Sequence, residues 1–490
     1  MYSKLTCRLS SLLLLFCGMS PFVRAQSKAL RGRTLEFTVM DRTRVNAWQW
    51  FAAPNAANEY GYIESLLRIA LQQNLNRWDW RLELSQPSIL DAPGDAIGAG
   101  PGQGQLGLGA TYYAANVSSY PAAAFLKQGF IRFHVENTSV RAGRFEFIDG
   151  VETTPKDHTL AWLQKERIAH RMIGNFGFSN AQRSFDGIDL NSQLGPWNVT
   201  AFAARADQGV FNMNGNPELN VDLQYLAVTR QAGRHLLGRA FAIGFHDGRT
   251  GLTKSDNRTS AILATDHANI RIGTYGGDFL ANIPAGPGNL DVLFWGAGQN
   301  GSWGLLSHKA GAAAVEGGYQ WTQLATKPWL RGGWFRSTGD ENPADKTHNT
   351  FFQILPTPRI YARLPFYNLM NSTDDFVQVM DQPLKALSLR SDLHWLQLTS
   401  PRDLWYLGGG AFDNKVFGYV GRPANNTSSL ASVLDISADW QTTKTLNLNF
   451  YYAYAQGKSV VGAIYPTGKN MQYGYVECLY HFGLHRGSSN

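Results

Sequence analysis

Cysteine, lysine and long apolar runs are what this chain has little of, and each shortage closes off a class of protein. Only three cysteines occur in 490 residues. Cys7 and Cys17 fall in a leader-like N-terminus, so the remainder carries Cys478 alone, which excludes a disulfide-stapled scaffold. The longest apolar run, Leu12 to Met19, is far shorter than the ~20 residues of a membrane-spanning helix. Any passage through a bilayer must then use strands closed into a barrel, which also pairs every backbone group within hydrocarbon. The eleven histidines are scattered singly, without the clustered His, Cys and carboxylate spacing of a metal site, so no metal ligands are expected. No nucleophile elbow or serine triad stands out, and neither catalytic residues nor a cofactor are expected. Gly102 to Gly107 formally matches GxGxxG but lacks the strand, helix and acid of a dinucleotide site, and reads as a flexible loop. Asp247 to Asp256 lacks the full calcium-loop pattern and reads as a polar hairpin loop.

Lysine is outnumbered by arginine, 14 to 30. Guanidinium is planar, permanently charged and suited to bidentate carboxylate or phosphate contacts, whereas lysine serves equally well on a merely soluble surface. The net charge of +7 falls to +4 without residues 1–25, and no charge block along which nucleic acid would track is present. Residues 1–25 have the form of a cleaved export signal: Lys4 and Arg8, the short apolar core, then Val23-Arg24-Ala25 at peptidase spacing. Phe16 is too bulky for a lipobox around Cys17. Residues 26–490 are expected to form one domain, since no linker or second compositional zone interrupts them.

What is present is alternation. Leu434, Ile436, Ala438 and Trp440 interleave with Asp435, Ser437 and Asp439, and Leu446, Leu448, Phe450, Tyr452 and Tyr454 follow with the same period. Val476, Cys478, Tyr480 and Phe482 close the chain in the same way, opposite Glu477 and His481. Period two gives each strand one apolar and one polar face. At the other end, Leu35, Phe37 and Val39 face out, leaving Arg42 and Arg44 inward; Ile63, Leu67, Ile69 and Leu71 face out, leaving Glu64, Arg68 and Gln72 inward; and Trp78, Trp80, Leu82 and Leu84 face out, leaving Asp79, Arg81 and Glu83 inward. A soluble sandwich would cover the apolar faces with a second sheet; a barrel turns them to lipid and keeps the charges in water. Aromatic residues at 12% with a mean hydropathy of −0.25 suit a wall in which only alternate side chains meet lipid.

Twelve further strands, from 125–135 to 404–412, bring the expected total to eighteen, an all-β, transmembrane, antiparallel barrel with both termini on the periplasmic side. Residues 87–120 and 339–381 read as long irregular loops, and 157–172 as the one helical stretch.

Several motifs resemble the alginate export family of outer-membrane barrels: Val140-Arg141-Ala142-Gly143-Arg144-Phe145-Glu146, the stretch Arg167 to Gly174, Arg183-Ser184-Phe185-Asp186-Gly187-Ile188, Arg336-Ser337-Thr338-Gly339-Asp340, the loop Thr350 to Tyr367, and Asp392-Leu393-His394-Trp395. Residues 152–170 depart from that pattern. The resemblance implies a monomeric eighteen-stranded channel in the outer membrane, in contact with its lipid and with periplasmic secretion components, whose arginine-rich interior conducts an anionic polysaccharide. It implies pore-lining roles for Arg42, Arg44, Arg68, Arg144, Arg171, Arg183 and Arg390, with Glu146, Asp186 and Asp392 holding the guanidinium groups in place by bidentate pairing. Uptake of small anions such as sugar acids is the alternative, and a barrel enzyme the third reading. The inward parity of His394 argues against a barrel phospholipase.

Overall fold

The computed structural model describes residues 35–484. The expected signal peptide lies outside the described residues. Eighteen antiparallel strands, each hydrogen-bonded to the next, close on themselves where the first pairs with the last, from Phe37 opposite Leu484 to Gln49 opposite Gln472. We number them β1 (Leu35–Gln49), β2 (Glu59–Asn74), β3 (Trp78–Leu90), β4 (Phe125–Val135), β5 (Thr138–Phe145), β6 (Phe185–Leu194), β7 (Trp197–Asp207), β8 (Glu218–Ala232) and β9 (Leu236–Asp247). The second half is β10 (Ile270–Ala285), β11 (Gly288–Trp303), β12 (Leu306–Gln320), β13 (Trp329–Ser337), β14 (Ser372–Leu384), β15 (Leu387–Leu398), β16 (Ser429–Gln441), β17 (Leu446–Gly457) and β18 (Asn470–Leu484). One rim carries mostly tight turns; the other carries the long loops β3–β4, β5–β6, β13–β14 and β15–β16. That asymmetry is the one expected of periplasmic turns and external loops.

Alternation appears directly in exposure. Val377, Val379, Leu389, Leu393, Ile436 and Phe450 stand exposed on the outer face, while Asp374, Gln378, Asp392, His394 and Asp435 on the same strands are buried inside. Trp78, Phe133, Trp197 and Trp440 lie exposed beside the tight turns, an aromatic girdle at one membrane interface. Pro87 is accommodated within β3 where the regular ladder to β4 stops at Ser85 opposite Phe125; beyond that point the edge is held irregularly, with the Pro87 carbonyl accepting from the Ala123 N–H at 3.3 Å and Ser88 bridging Ala122.

The expected strand at 404–412 is instead Leu404–Gly408, which pairs with Tyr419–Pro423 in a small sheet separate from the barrel. Its place in the wall is taken by β14, which falls in the stretch read as irregular. Two errors cancel in the count. In β14 the inward Phe376 and Met380 are apolar like the outward Val377 and Val379, so the period-two signal is lost. Phe376 can face inward because Tyr361 of the β13–β14 loop, not water, covers it. Residues 87–120 likewise contain order: the end of β3 and a helix, α1 (Leu108–Asn116). In the expected helical stretch, α2 spans only His158–Leu163, capped by Asp157 accepting from the Leu160 N–H, and a wide turn over Gln164–Ile168 follows.

A charge placed on the lipid face at mid-strand should be costly. Val377→Arg is expected to destabilise the barrel by roughly 2–4 kcal/mol, read from reversible denaturant unfolding in bilayers, with a much smaller effect for the same change at a lumenal position. Equal costs would mean that the outer face is not in hydrocarbon.

Candidate functional site

The interior is built outward from β1. Arg44 stands directly across from Glu64 on β2 and Glu477 on β18, so one guanidinium spans the closing seam between two carboxylates. It lies 3.3 Å from Glu64 and 2.5 Å from Glu477, and donates to the Phe178 carbonyl at 3.0 Å. Arg42, two residues earlier on the same face, donates to the carbonyls of Gly177 at 2.6 Å and Ser179 at 2.8 Å. Together they fasten the β5–β6 loop to the wall. Arg68 pairs with Glu83 and, at 3.1 Å, with Glu146, which Lys127 also reaches at 3.3 Å. Burial alone would raise the Glu146 pKa; the charges of Arg68 and Lys127 overcome it and hold the carboxyl down at about 2.

Arg183 has a different role. It is wholly buried and meets carbonyl oxygens: Gly174 at 3.0 Å, Leu355 at 2.9 Å and Gly409 at 2.8 Å, one from each of three loops inside the barrel. Burial lowers its pKa to about 10, which leaves it charged at neutral pH. Arg171 shares Glu316 with Arg167 and Arg331 at 3.2, 2.7 and 3.2 Å, three buried guanidinium groups around one carboxylate. Arg390 lies 2.5 Å from Asp392.

Arg144 and Asp186 do not line the interior, which corrects the assignment made from sequence. Their neighbours Phe145 and Phe185 are fully buried inside against Phe202, so period two turns Arg144 and Asp186 outward. Gly143 at φ +125° lets β5 close on the Gly129 carbonyl, where a Cβ would collide. Arg144 and Asp186 pair at 2.6 Å as the start of a cross-strand row at the long-loop rim, Arg144–Asp186–Arg205–Asp222–His246–Arg271, each directly opposite the next from β5 to β10. The misreading has a physical source: Phe145 is apolar yet inward, because loops make part of the inner face a dry core.

Part of the exposed interior is basic. Arg81 is 25% exposed in its side chain and Arg68 13%, while the Glu83 they share is 1% exposed. Arg390 is 10% exposed over an Asp392 at 1%, and Arg132 33% over Asp79 at 12%. In these four pairs the guanidinium is the more exposed partner, whereas Glu146 and Glu477 are more exposed than the Arg68, Arg42 and Arg44 they pair with. Arg363, carried inside by the β13–β14 loop, joins them: its backbone N–H meets Asp435 at 2.5 Å and its side chain reaches Ser437 at 3.2 Å. Sequence reasoning missed Arg331, Arg132 and Arg363 as site residues. Arg331 was legible from parity, since its neighbour Leu330 faces out; Arg363 sits in a loop and carries no such signal.

The sequence model of the family described as Alginate export matches residues 126–469, more than two thirds of the chain. No curated protein matches by sequence. Among solved structures, the chain is similar to OccAB1 of Acinetobacter baumannii, with 10% identity, TM-score 0.57 and coverage of 92% of this chain and 97% of that one. It is also similar to OccK5 (OpdH) of Pseudomonas aeruginosa, with 9% identity, TM-score 0.55 and coverage of 92% and 98%. A third is OpdK of the same organism, solved with vanillate, with 6% identity, TM-score 0.55 and coverage of 92% and 99%. At these identities the likeness is one of fold.

Arg183→Ala should leave a heat-modifiable barrel but speed proteolysis within 146–184 and 338–371 at least several-fold, because buried carbonyls lose their donor. Unchanged cleavage would remove its bracing role. A second outcome follows from Glu146. Its folded pKa is depressed from 4.5 to about 2, so its contribution is complete above about 4.5 and is lost as pH falls toward 2. Protease protection of the β5–β6 loop should therefore hold from pH 8 to 5 and decline below, while Glu146→Gln should weaken it at neutral pH.

Proposed function

Because this chain belongs to the alginate export family, whose barrels lie in the outer membrane, we propose that it conducts an anionic polysaccharide across that membrane through its arginine-lined interior. The observation that carries this reading is the placement of guanidinium in front of carboxylate at Arg68, Arg81, Arg132 and Arg390. A uronate chain meets positive charge first, and the acid behind limits how tightly any one residue holds it. Conduction needs such a balance, with attraction strong enough to admit the polymer and each contact weak enough to release it. Charge facing a low-dielectric wall also focuses the field, so a few arginines dominate a modest net charge. The inward Arg363 would supply a further contact, and Arg42, Arg44, Arg171 and Arg183 would act mainly by holding the loops around the path. Partners on the periplasmic side would be secretion components that deliver the polymer.

The second reading, uptake of small anions such as sugar acids, uses the same face and finds some support in the porin fold of the structural neighbours, one of them solved with vanillate.

In planar bilayers the channel should prefer anions in reversal-potential measurements, and oligouronates added on the tight-turn side should block the current transiently. Arg363→Gln with Arg390→Gln should shorten the block several-fold. Cation selectivity would sink both readings; passage of monouronates with no block by longer chains would favour uptake.

A further inference from the structure

We propose that the inner wall where β14, β15 and β16 meet binds one divalent transition-metal ion through Asp392, His394 and Asp435. Asp392 and Asp435 lie directly opposite each other on adjacent strands, an arrangement in which two like charges repel. One ligand-capable atom of each of the three side chains lies within 4.8 Å of the others, and all three residues are buried. His394 Nδ1 meets Asp374 at 2.9 Å, and Asp374 in turn accepts from the Tyr367 hydroxyl at 2.8 Å. In the neutral ring with its proton on Nδ1, Nε2 is a lone-pair donor, the arrangement in which a carboxylate orients a metal-binding imidazole. Nε2 is buried and has no hydrogen-bond partner among the described residues. Asp392 shows the same one-sidedness: Oδ2 takes both contacts from Arg390, at 2.6 and 2.5 Å, while Oδ1 is buried without a partner. Two unpartnered atoms, one a nitrogen and one an anionic oxygen, thus belong to a cluster completed by the second carboxylate, Asp435, whose oxygens accept from the Tyr451 hydroxyl and the Arg363 N–H.

The charges point the same way. Asp392 and Asp435 oppose each other across the strand pair and Asp374 stands behind His394, three carboxylates of which only Asp392 is paired with a guanidinium, that of Arg390, so a divalent ion beside a neutral imidazole would offset their repulsion. Imidazole favours zinc and its neighbours over calcium or magnesium, and three protein ligands leave one position for water. Such an ion would join β15 to β16 directly. Through Tyr367 and the Arg363 N–H on Asp435, it would also tie the β13–β14 loop to the wall. The competing arrangement is an imidazolium at His394 in place of the metal.

The test uses the full-length barrel, purified folded in detergent free of metal and checked by heat-modifiable migration. Cobalt(II) should bind one equivalent with visible ligand-field absorption and be displaced by zinc. His394→Gln should abolish the absorption, and Asp374→Asn, which touches no metal, should weaken binding by roughly 10–100-fold. Should His394→Gln fail to fold, Asp374→Asn and the metal content of the wild-type protein isolated from membranes decide the matter. A folded wild-type barrel that gives no cobalt spectrum, or binding undiminished in either variant, would overturn the proposal.

Discussion

Everything in this molecule depends on the requirement that no backbone N–H or C=O be left bare in hydrocarbon. Closure of β1 on β18 meets it for the wall, and once the wall is closed each strand has only two directions in which to send its side chains. Apolar residues go to lipid. Within the hydrocarbon span everything polar must go inward, whether or not it serves transport, so the interior collects charge by geometric necessity. What distinguishes this chain is how the collected charge is used.

Arginine serves two ends here. Toward the long-loop rim, Arg42, Arg44 and Arg183 are buried and hold loop carbonyls, converting segments with few internal hydrogen bonds into part of the wall. Elsewhere Arg68, Arg81, Arg132 and Arg390 remain accessible, each with its acid set behind it. Lysine suits neither place well, because a single ammonium lacks the fork of donors that lets Arg183 serve three loops at once. Bracing thus accounts for part of the arginine excess noted in the composition, alongside the proposed contact with anions.

The parts of the fold legible in sequence were those where one face meets lipid and the other meets water. Strands β1 to β3 and β16 to β18 satisfied that condition and were read with the correct parity, which placed Arg42, Arg44 and Arg68 inward. The rule failed wherever a loop replaced water inside. Phe376 on β14 and Phe145 on β5 are inward and apolar, and each cost an assignment: β14 was not recognised as a strand, and Arg144 and Asp186 were given the wrong face. Long loops left another gap. The partners of Arg183 come from residues far apart in sequence, and no local pattern announces a carbonyl cage.

The row from Arg144 to Arg271 draws a waterline on the hull. Six consecutive strands place a charged or ionisable side chain at one height on the outer face, with alternating sign over most of its length. Hydrocarbon cannot rise past it without stripping water from that whole row at once. The barrel on this side therefore cannot bob along the membrane normal, and the acyl chains beside it must adjust their height to the protein.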